Sequence, residues 1–283
     1  MTAQWDTVTI VGVGLIGGSA GLALAKRGAA KKIIGVGRSV SSLEAAKKLG
    51  AISEGTTNIR EGVADADFVL VATRVSVIGN QLEEIDTCVR PGTPITDAGS
   101  TKQSIVDRWE QSRSSRKGRF VGSHPLAGSH KRGPQAADPA LFEDKLTVLT
   151  PVESTPQSDT QSISAFWQLI GAQVCHLSPS EHDRLLASAS HAPHIVAAAL
   201  AAATPREAHR FTAGGWRDTT RIAAGDPDLW ADILLDNAKA VTAQIENFSQ
   251  VSDQLQHAIA EGDRPTLIKL LTLAKESRDA LGS

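Results

Sequence analysis

A short apolar run, Val8-Thr9-Ile10-Val11, leads directly into Gly12-Val13-Gly14-Leu15-Ile16-Gly17, and a segment with helical spacing follows. No other stretch restricts the fold as much. In a strand–G-x-G-x-x-G–helix unit the first glycine makes a tight turn, the second lets a pyrophosphate approach the backbone, and the third lets the helix pack close to the strand. The helix start, at Leu15 and Ile16, offers free N–H groups and the positive end of its dipole to phosphate. The strand before and the helix after are the context that gives this motif its meaning. The chain is therefore expected to be α/β, beginning with a Rossmann dinucleotide-binding domain whose cofactor contacts include Gly12, Gly14, Leu15, Ile16 and Gly17.

The second strand of such a domain normally ends in a carboxylate that binds the adenosine ribose 2′-hydroxyl. Here residues 33–39 read IIGVGRS, with no carboxylate. A 2′-phosphate would be repelled by a carboxylate but suits Arg38 and Ser39, and Gly37 leaves it room. NADP is the expected cofactor. NAD is the alternative, with Arg38 lying against adenine and the ribose held by backbone. Thr73, just beyond a strand over 68–72, is a further cofactor-side candidate.

Apolar strands alternate with helical segments as far as a strand over 172–177, the pattern of a mainly parallel sheet. At Ser178 the character changes. Ser178-Pro179 with Glu181 is a cap, an N1 proline and a capping glutamate, and everything beyond reads as helix. The spacing predicts helices over 182–203 and near 217–224, a long one from 227 and a last one from 265. The expected organisation is a Rossmann domain over 1–178 and an all-α domain over 179–283. Along the long helix, Trp230, Ile233, Leu234, Val241, Ile245, Phe248, Val251, Leu255 and Ile259 recur at helical spacing. Such a stripe needs a large partner surface, which favours a homodimer seam over an intrachain core.

A formal net charge of -2 gives no basic field for nucleic acid or an anionic membrane, so any anionic ligand must be held by local cations. Cys88 and Cys175 are far apart and in no metal-spaced pair, so neither a disulfide framework nor a metal site is expected. The apolar stretch around 195–203 is too short to span a bilayer, and no leader pattern precedes the first strand. A cytoplasmic location follows from these readings. Tyrosine is absent, so it cannot be a catalytic acid here.

Residues 12–19 (GVGLIGGS), 97–102 (DAGSTK), 122–128 (GSHPLAG), 191–194 (HAPH) and 217–221 (RDTTR), with an HD pair between the third and fourth, closely resemble prephenate/arogenate dehydrogenases in sequence and order. The resemblance spans essentially the whole chain. It implies a Rossmann domain joined to a helical dimerisation domain, with the site in the cleft between them. The implied reaction is oxidation and decarboxylation of a cyclohexadienol, prephenate or arogenate, on the pathway to tyrosine. His124 would accept the proton of the ring hydroxyl, a task suited to a base of pKa near ~6.5. Ser100 would lie by the nicotinamide and the reacting hydroxyl, and it is also placed to cap the helix that follows. Arg221 would bind a substrate carboxylate bidentately. Arg217, four residues earlier, would share its face, and both could instead be surface ion pairs with Asp218 or Asp226. Asp183, Ser190 and His194 fall on one helical stripe; Asp183 would orient Arg221 and His194 would meet the substrate side chain. His191 would serve the same pocket, and Pro193 is expected to kink this helix.

Two positions depart from the family pattern. Members often carry a carboxylate where this chain has His130; its absence disfavours the ammonium of arogenate and points to prephenate. Arg74 stands where proline is common, with an effect on cofactor contacts that the sequence does not define. With the chain stopping soon after the last helix, neither a C-terminal regulatory domain nor an N-terminal fused mutase is expected. Competing readings are a hydroxyacid dehydrogenase or pyrroline-carboxylate reductase, and a dinucleotide sensor without turnover. Neither accounts for His124, Ser100, His194 and Arg221 together.

Overall fold

Strands that are apolar on both faces need cover on both sides, and the computed structural model, which describes residues 4–111, 116–128 and 131–282, provides it. β1 (Trp5–Val11), β2 (Ala30–Val36), β3 (Glu54–Thr56), β4 (Phe68–Val71), β5 (Pro94–Asp97), β6 (Arg119–Pro125), β7 (Leu146–Thr150) and β8 (Gln173–His176) form one sheet in the order β3-β2-β1-β4-β5-β6-β7-β8. All neighbours are parallel except β6 and β7, which are antiparallel. The helices of this half are α1 (Leu15–Arg27), α2 (Val40–Lys48), α3 (Ile59–Val63), α4 (Val75–Cys88), α5 (Gln103–Gln111) and α6 (Gln157–Leu169).

Two cores flank the sheet. One gathers Ile10, Leu24, Phe68, Phe142, Phe166 and Trp167; the other gathers Val71, Ile78, Leu82, Ile85, Ile95 and Trp109. Phe68 and Phe166 stack at 4.3 Å, and the buried Trp167 Nε1 donates to Ser123 Oγ at 2.9 Å. That bond satisfies the one polar atom of a large buried ring and pins β6 to α6. The strand order reverses on either side of β1, so β1 and β4 open the crevice where open α/β sheets bind ligands.

The helical half contains α7 (Pro179–Leu186), a π turn over Ala187–His191, α8 (Ala192–Ala203), α9 (Gly214–Thr220), α10 (Pro227–Asp236), α11 (Ala238–Ala260) and α12 (Arg264–Asp279). Ser178 Oγ accepts from the Glu181 N–H at 3.2 Å, the cap read from sequence. Two expectations change here. The segment 182–203 is not a uniform helix kinked at its proline. Pro193 lacks an N–H, and the backbone absorbs this one turn earlier as a π turn closed by Ala192 N–H to Ala187 O. With α7 and α8 the run extends over Pro179–Ala203, 25 residues that include an 18-residue window of mean hydropathy 1.4, enough by length and composition alone to cross a membrane. Its His182 and Asp183 are nonetheless bonded to the Rossmann domain, which makes it the helix that joins the two halves.

The long helix from 227 breaks at Asn237, whose φ of -103° and ψ of 28° end α10 and begin α11. Asn237 Nδ2 donates to the Asp183 carbonyl at 2.8 Å and lies 3.1 Å from His191 Nδ1, so the break is fixed by buried polar bonds. The apolar stripe is divided accordingly. Ile233 and Val241 are buried within the chain, whereas Phe248, Val251 and Ile259 are exposed, as are Ile268, Leu271 and Leu273 on α12.

Candidate active site

The glycine loop has the shape a pyrophosphate needs. Gly12 has φ +98°, and a Cβ there would strike the Ala72 carbonyl group and come within 2.8 Å of Thr73 Cγ2. A Cβ on Gly17 would run into the Gly12 carbonyl, while one on Gly14 would meet nothing within 4 Å. The loop is thus tight underneath and open above. Gly14 caps α1 without any side-chain bond, leaving the first-turn N–H groups at Leu15 and Ile16 for an anion. Thr73 covers Gly12 with its methyl and donates to Gln81 Oε1 at 2.5 Å. Ser39 caps α2, accepting from Ser42 N–H at 3.4 Å and lying 2.7 Å from Ser41 Oγ. Arg38 beside it is exposed and makes no ion pair among the described residues.

Across the cleft, β5 and β6 end side by side. Lys102 is fully buried and paired with Asp97, and its Nζ also donates to the Ser123 carbonyl at 2.9 Å. Asp97 in turn accepts from Gly99 N–H at 2.8 Å and Ser123 N–H at 3.0 Å. This satisfied buried pair ties the Ser100 loop to the His124 strand, which a solvated lysine would not do. Burial pushes the Lys102 ammonium down against the opposing pull of Asp97. Ser100 makes no hydrogen bond among the described residues, so it is not the cap of α5.

Asp183 is that cap. Its Oδ1 accepts from Lys102 N–H at 2.8 Å and its Oδ2 from Gln103 N–H at 2.9 Å. Oδ1 also lies 2.7 Å from His182 Nδ1, and His182 Nε2 lies 2.9 Å from His124 Nδ1. The expectation that Asp183 orients Arg221 is therefore corrected: its oxygens are taken by backbone and by His182, and it orients histidines instead. Burial opposes ionisation of Asp183, but the bonds from His182 and from the Gln103 and Lys102 N–H groups outweigh it and hold the carboxyl below its usual range.

That geometry dictates the tautomers. Burial lowers the pKa of His182, and burial with the neighbouring charges of His182, Lys102 and His191 lowers that of His124 strongly. Both rings are neutral near pH 7. Asp183 can only accept, so His182 Nδ1 carries the proton and its Nε2 is bare. His124 Nδ1 must then donate, leaving His124 Nε2 as the free base. His182, which had no expected role beyond its place in the HD pair, sets the state of the catalytic candidate.

The far wall comes from the helical domain. His194 is buried, stacks on Trp230 at 3.6 Å and 12°, and its Nδ1 has no hydrogen-bond partner among the described residues. His191 is held by Asn237 and meets the edge of Trp230 at 6.3 Å, and burial pushes it down to about 4. Asp183, His191 and His194 are all buried along this run, and Ser190 is half-buried. Arg217 and Arg221 are exposed and make no ion pair among the described residues; Asp226 pairs with other cations. His130 lies outside the described residues.

Comparison with known proteins then fixes the family. The nucleotide-binding domain profile of prephenate dehydrogenase matches residues 20–176, and the profile of its dimerization domain matches residues 178–273. The chain belongs to the prephenate/arogenate dehydrogenase family. It is 38% identical to the prephenate dehydrogenase of Bacillus subtilis over 99% of this chain and 77% of that one. The crystal structure of Aquifex aeolicus prephenate dehydrogenase with hydroxyphenyl propionate and NAD+ superposes with a TM-score of 0.88 at 33% identity, covering 98% of each chain. That of Synechocystis arogenate dehydrogenase gives 0.82 at 29%, covering 97% and 99%. The family's oxidoreductase chemistry uses a nicotinamide cofactor, and the glycine loop described above fits one.

The buried histidines predict a definite acid response. Their folded pKa values lie below the unfolded value near ~6.5, so under that pH the unfolded chain binds more protons. Their contribution to stability is complete above about pH 6.5 and is lost as pH falls toward about 4, the value for His191. Thermal unfolding should show a falling midpoint across that window, and a midpoint that held steady there would remove the neutral-histidine assignment.

Proposed function

We propose that the chain oxidises and decarboxylates prephenate to 4-hydroxyphenylpyruvate, with arogenate as the second substrate to test. The observation that carries this reading is the bare Nε2 of His124, held by the His182–Asp183 relay that runs from the helical half to β6. Gly12, Gly14, Leu15, Ile16, Gly17 and Thr73 would hold the cofactor, which when bound accepts a hydride from the ring carbon bearing the hydroxyl.

His124 takes the hydroxyl proton as the ring C–O becomes carbonyl-like. The bond to the ring carboxylate then breaks, CO2 leaves, its electron pair completes the aromatic ring, and the resulting phenolate oxygen takes the proton back from His124. Protonated His124 is stabilised through His182 by the carboxylate of Asp183. Ser100, with no protein partner among the described residues, is free to bond the reacting oxygen. Arg221, supported by Arg217, takes a substrate carboxylate, and the unpartnered Nδ1 of His194 faces the other end with Asp183 and His191 behind it. His130, where relatives carry an acid, favours the keto acid over the amino acid.

For the cofactor, NADP is the proposed preference. Arg38, exposed and without an ion pair among the described residues, precedes Ser39, Ser41 and Ser42 at the start of α2, and no carboxylate ends β2. The segments 1–178 and 179–283 act as cofactor and substrate domains in a cytoplasmic homodimer. The exposed apolar faces of α11 and α12 support that assembly.

Absorbance at 340 nm with prephenate or arogenate, each with NAD or NADP, tests the reaction. Prephenate with NADP should be fastest. Silence in all four mixtures would leave the dehydrogenase reading without support, and equal affinity for the two cofactors would end the role given to Arg38. His124→Asn should lower kcat by about 10²–10⁴-fold, the usual worth of a general base, with cofactor binding little changed. For the dimer, Phe248→Asp with Leu271→Asp should give a monomer in sedimentation; a wild-type chain that already sediments as a monomer would refute the assembly.

A further inference from the structure

Arg74 follows Thr73, whose methyl covers Gly12. Its guanidinium reaches across the cleft to α10, lying 3.5 Å from Asp226, 3.9 Å from Asp232 and 4.0 Å from Asp228. Arg132, on the segment after the catalytic strand, comes to the same carboxylate at 2.8 Å. The two oxygens of Asp226 have separate tasks. Oδ1 accepts from Asp228 N–H at 3.0 Å and caps α10, while Oδ2 takes both guanidinium groups. The same face of α10 receives Ser76 Oγ at Asp232 (2.8 Å) and Ser104 Oγ at Asp236 (2.7 Å and 2.8 Å).

One turn along, Trp230 N–H donates to the Asp226 carbonyl at 3.0 Å, and the Trp230 ring is the plane on which His194 stacks. Gly225, immediately before Asp226, is pressed against the edge of that ring so closely that a Cβ would overlap Trp230 Nε1 and stand 3.1 Å from His194. The place of Asp226 therefore fixes the place of the Trp230–His194 wall.

We propose that Arg74 and Arg132 form an interdomain latch on Asp226 that sets the Trp230–His194 wall against the cofactor domain, making Arg74 a positioning residue for the ring substrate. This rests on the substrate reading given above. The guanidinium groups are partly exposed, at 42% for Arg74 and 63% for Arg132, so each pair is weak and readily released. A latch of that strength suits a cleft that must open for product and close again. It governs the fraction of molecules with the wall in place, and apparent affinity scales with that fraction while saturated turnover does not.

The test compares Arg74→Gln, Asp226→Asn and the double variant in the full-length protein. Asparagine is as good a cap as aspartate, so the second change removes the charge and spares α10. Each single variant should raise KM for prephenate about threefold to tenfold with kcat nearly unchanged, the range expected of partly exposed ion pairs acting together. The double variant should be no worse than the singles, Arg74→Lys should recover most of the loss, and amide hydrogen exchange over 226–237 should quicken in both singles. Additive effects, a fall in kcat at constant KM, or unaltered exchange would each overturn the latch. If the wild-type protein turned over neither ring substrate, the functional reading would fail while the exchange measurement still decided the latch.

Discussion

The carboxylate of Asp183 is the interaction on which the rest of the site depends. It belongs to the helical domain by sequence, but its bonds run to the backbone at the start of α5 in the Rossmann domain. It thereby caps a helix, docks the two halves and fixes a chain of proton positions ending at His124. A carboxylate buried this far needs several donors to stay ionised. The donors it finds are the groups whose geometry matters to the chemistry, so stability and preorganisation come from the same contacts. The buried Lys102–Asp97 pair does similar work one layer down, locking the ends of β5 and β6.

Much of this was legible in the residues. The glycine loop, the cap at Ser178, the change from alternating strands to helices, and the family segments identified the architecture and the family. Those features are local: turn chemistry, spacing and capping act within a few residues. What was not legible was long-range pairing. Nothing near Asp183 in sequence says that it serves the N–H groups of Lys102 and Gln103, eighty residues earlier. The HD pair likewise gives no sign that His182 meets His124 until β6 brings the two together.

The errors have the same origin. An apolar stripe from Trp230 to Ile259 reads as one helix because periodicity ignores what a single polar side chain does in the interior. Asn237 bonds two elements at once, and the helix breaks to let it. Arg221 was the expected partner of Asp183, whose oxygens are taken instead by His182 and by the Lys102 and Gln103 N–H groups. For Arg74, which departs from the family pattern, the sequence defined no effect; its side chain finds the acidic start of α10, where three carboxylates lie within reach.

The π turn over Ala187–His191 carries one residue more than an α-helix would need for the same turn. Each residue of an α-helix adds about 100° of rotation, so this surplus acts as a phase shift between the two ends of the rod. His182 and Asp183 face the sheet at one end, and His191 and His194 face Trp230 at the other, only because the shift is present. The alanine-rich middle of this rod looks freely variable, and in side-chain terms it is. Its length is another matter: dropping a single alanine there would restore regular winding and swing the distal histidines about a quarter turn off the cleft. Count, rather than composition, is the inherited quantity in this segment.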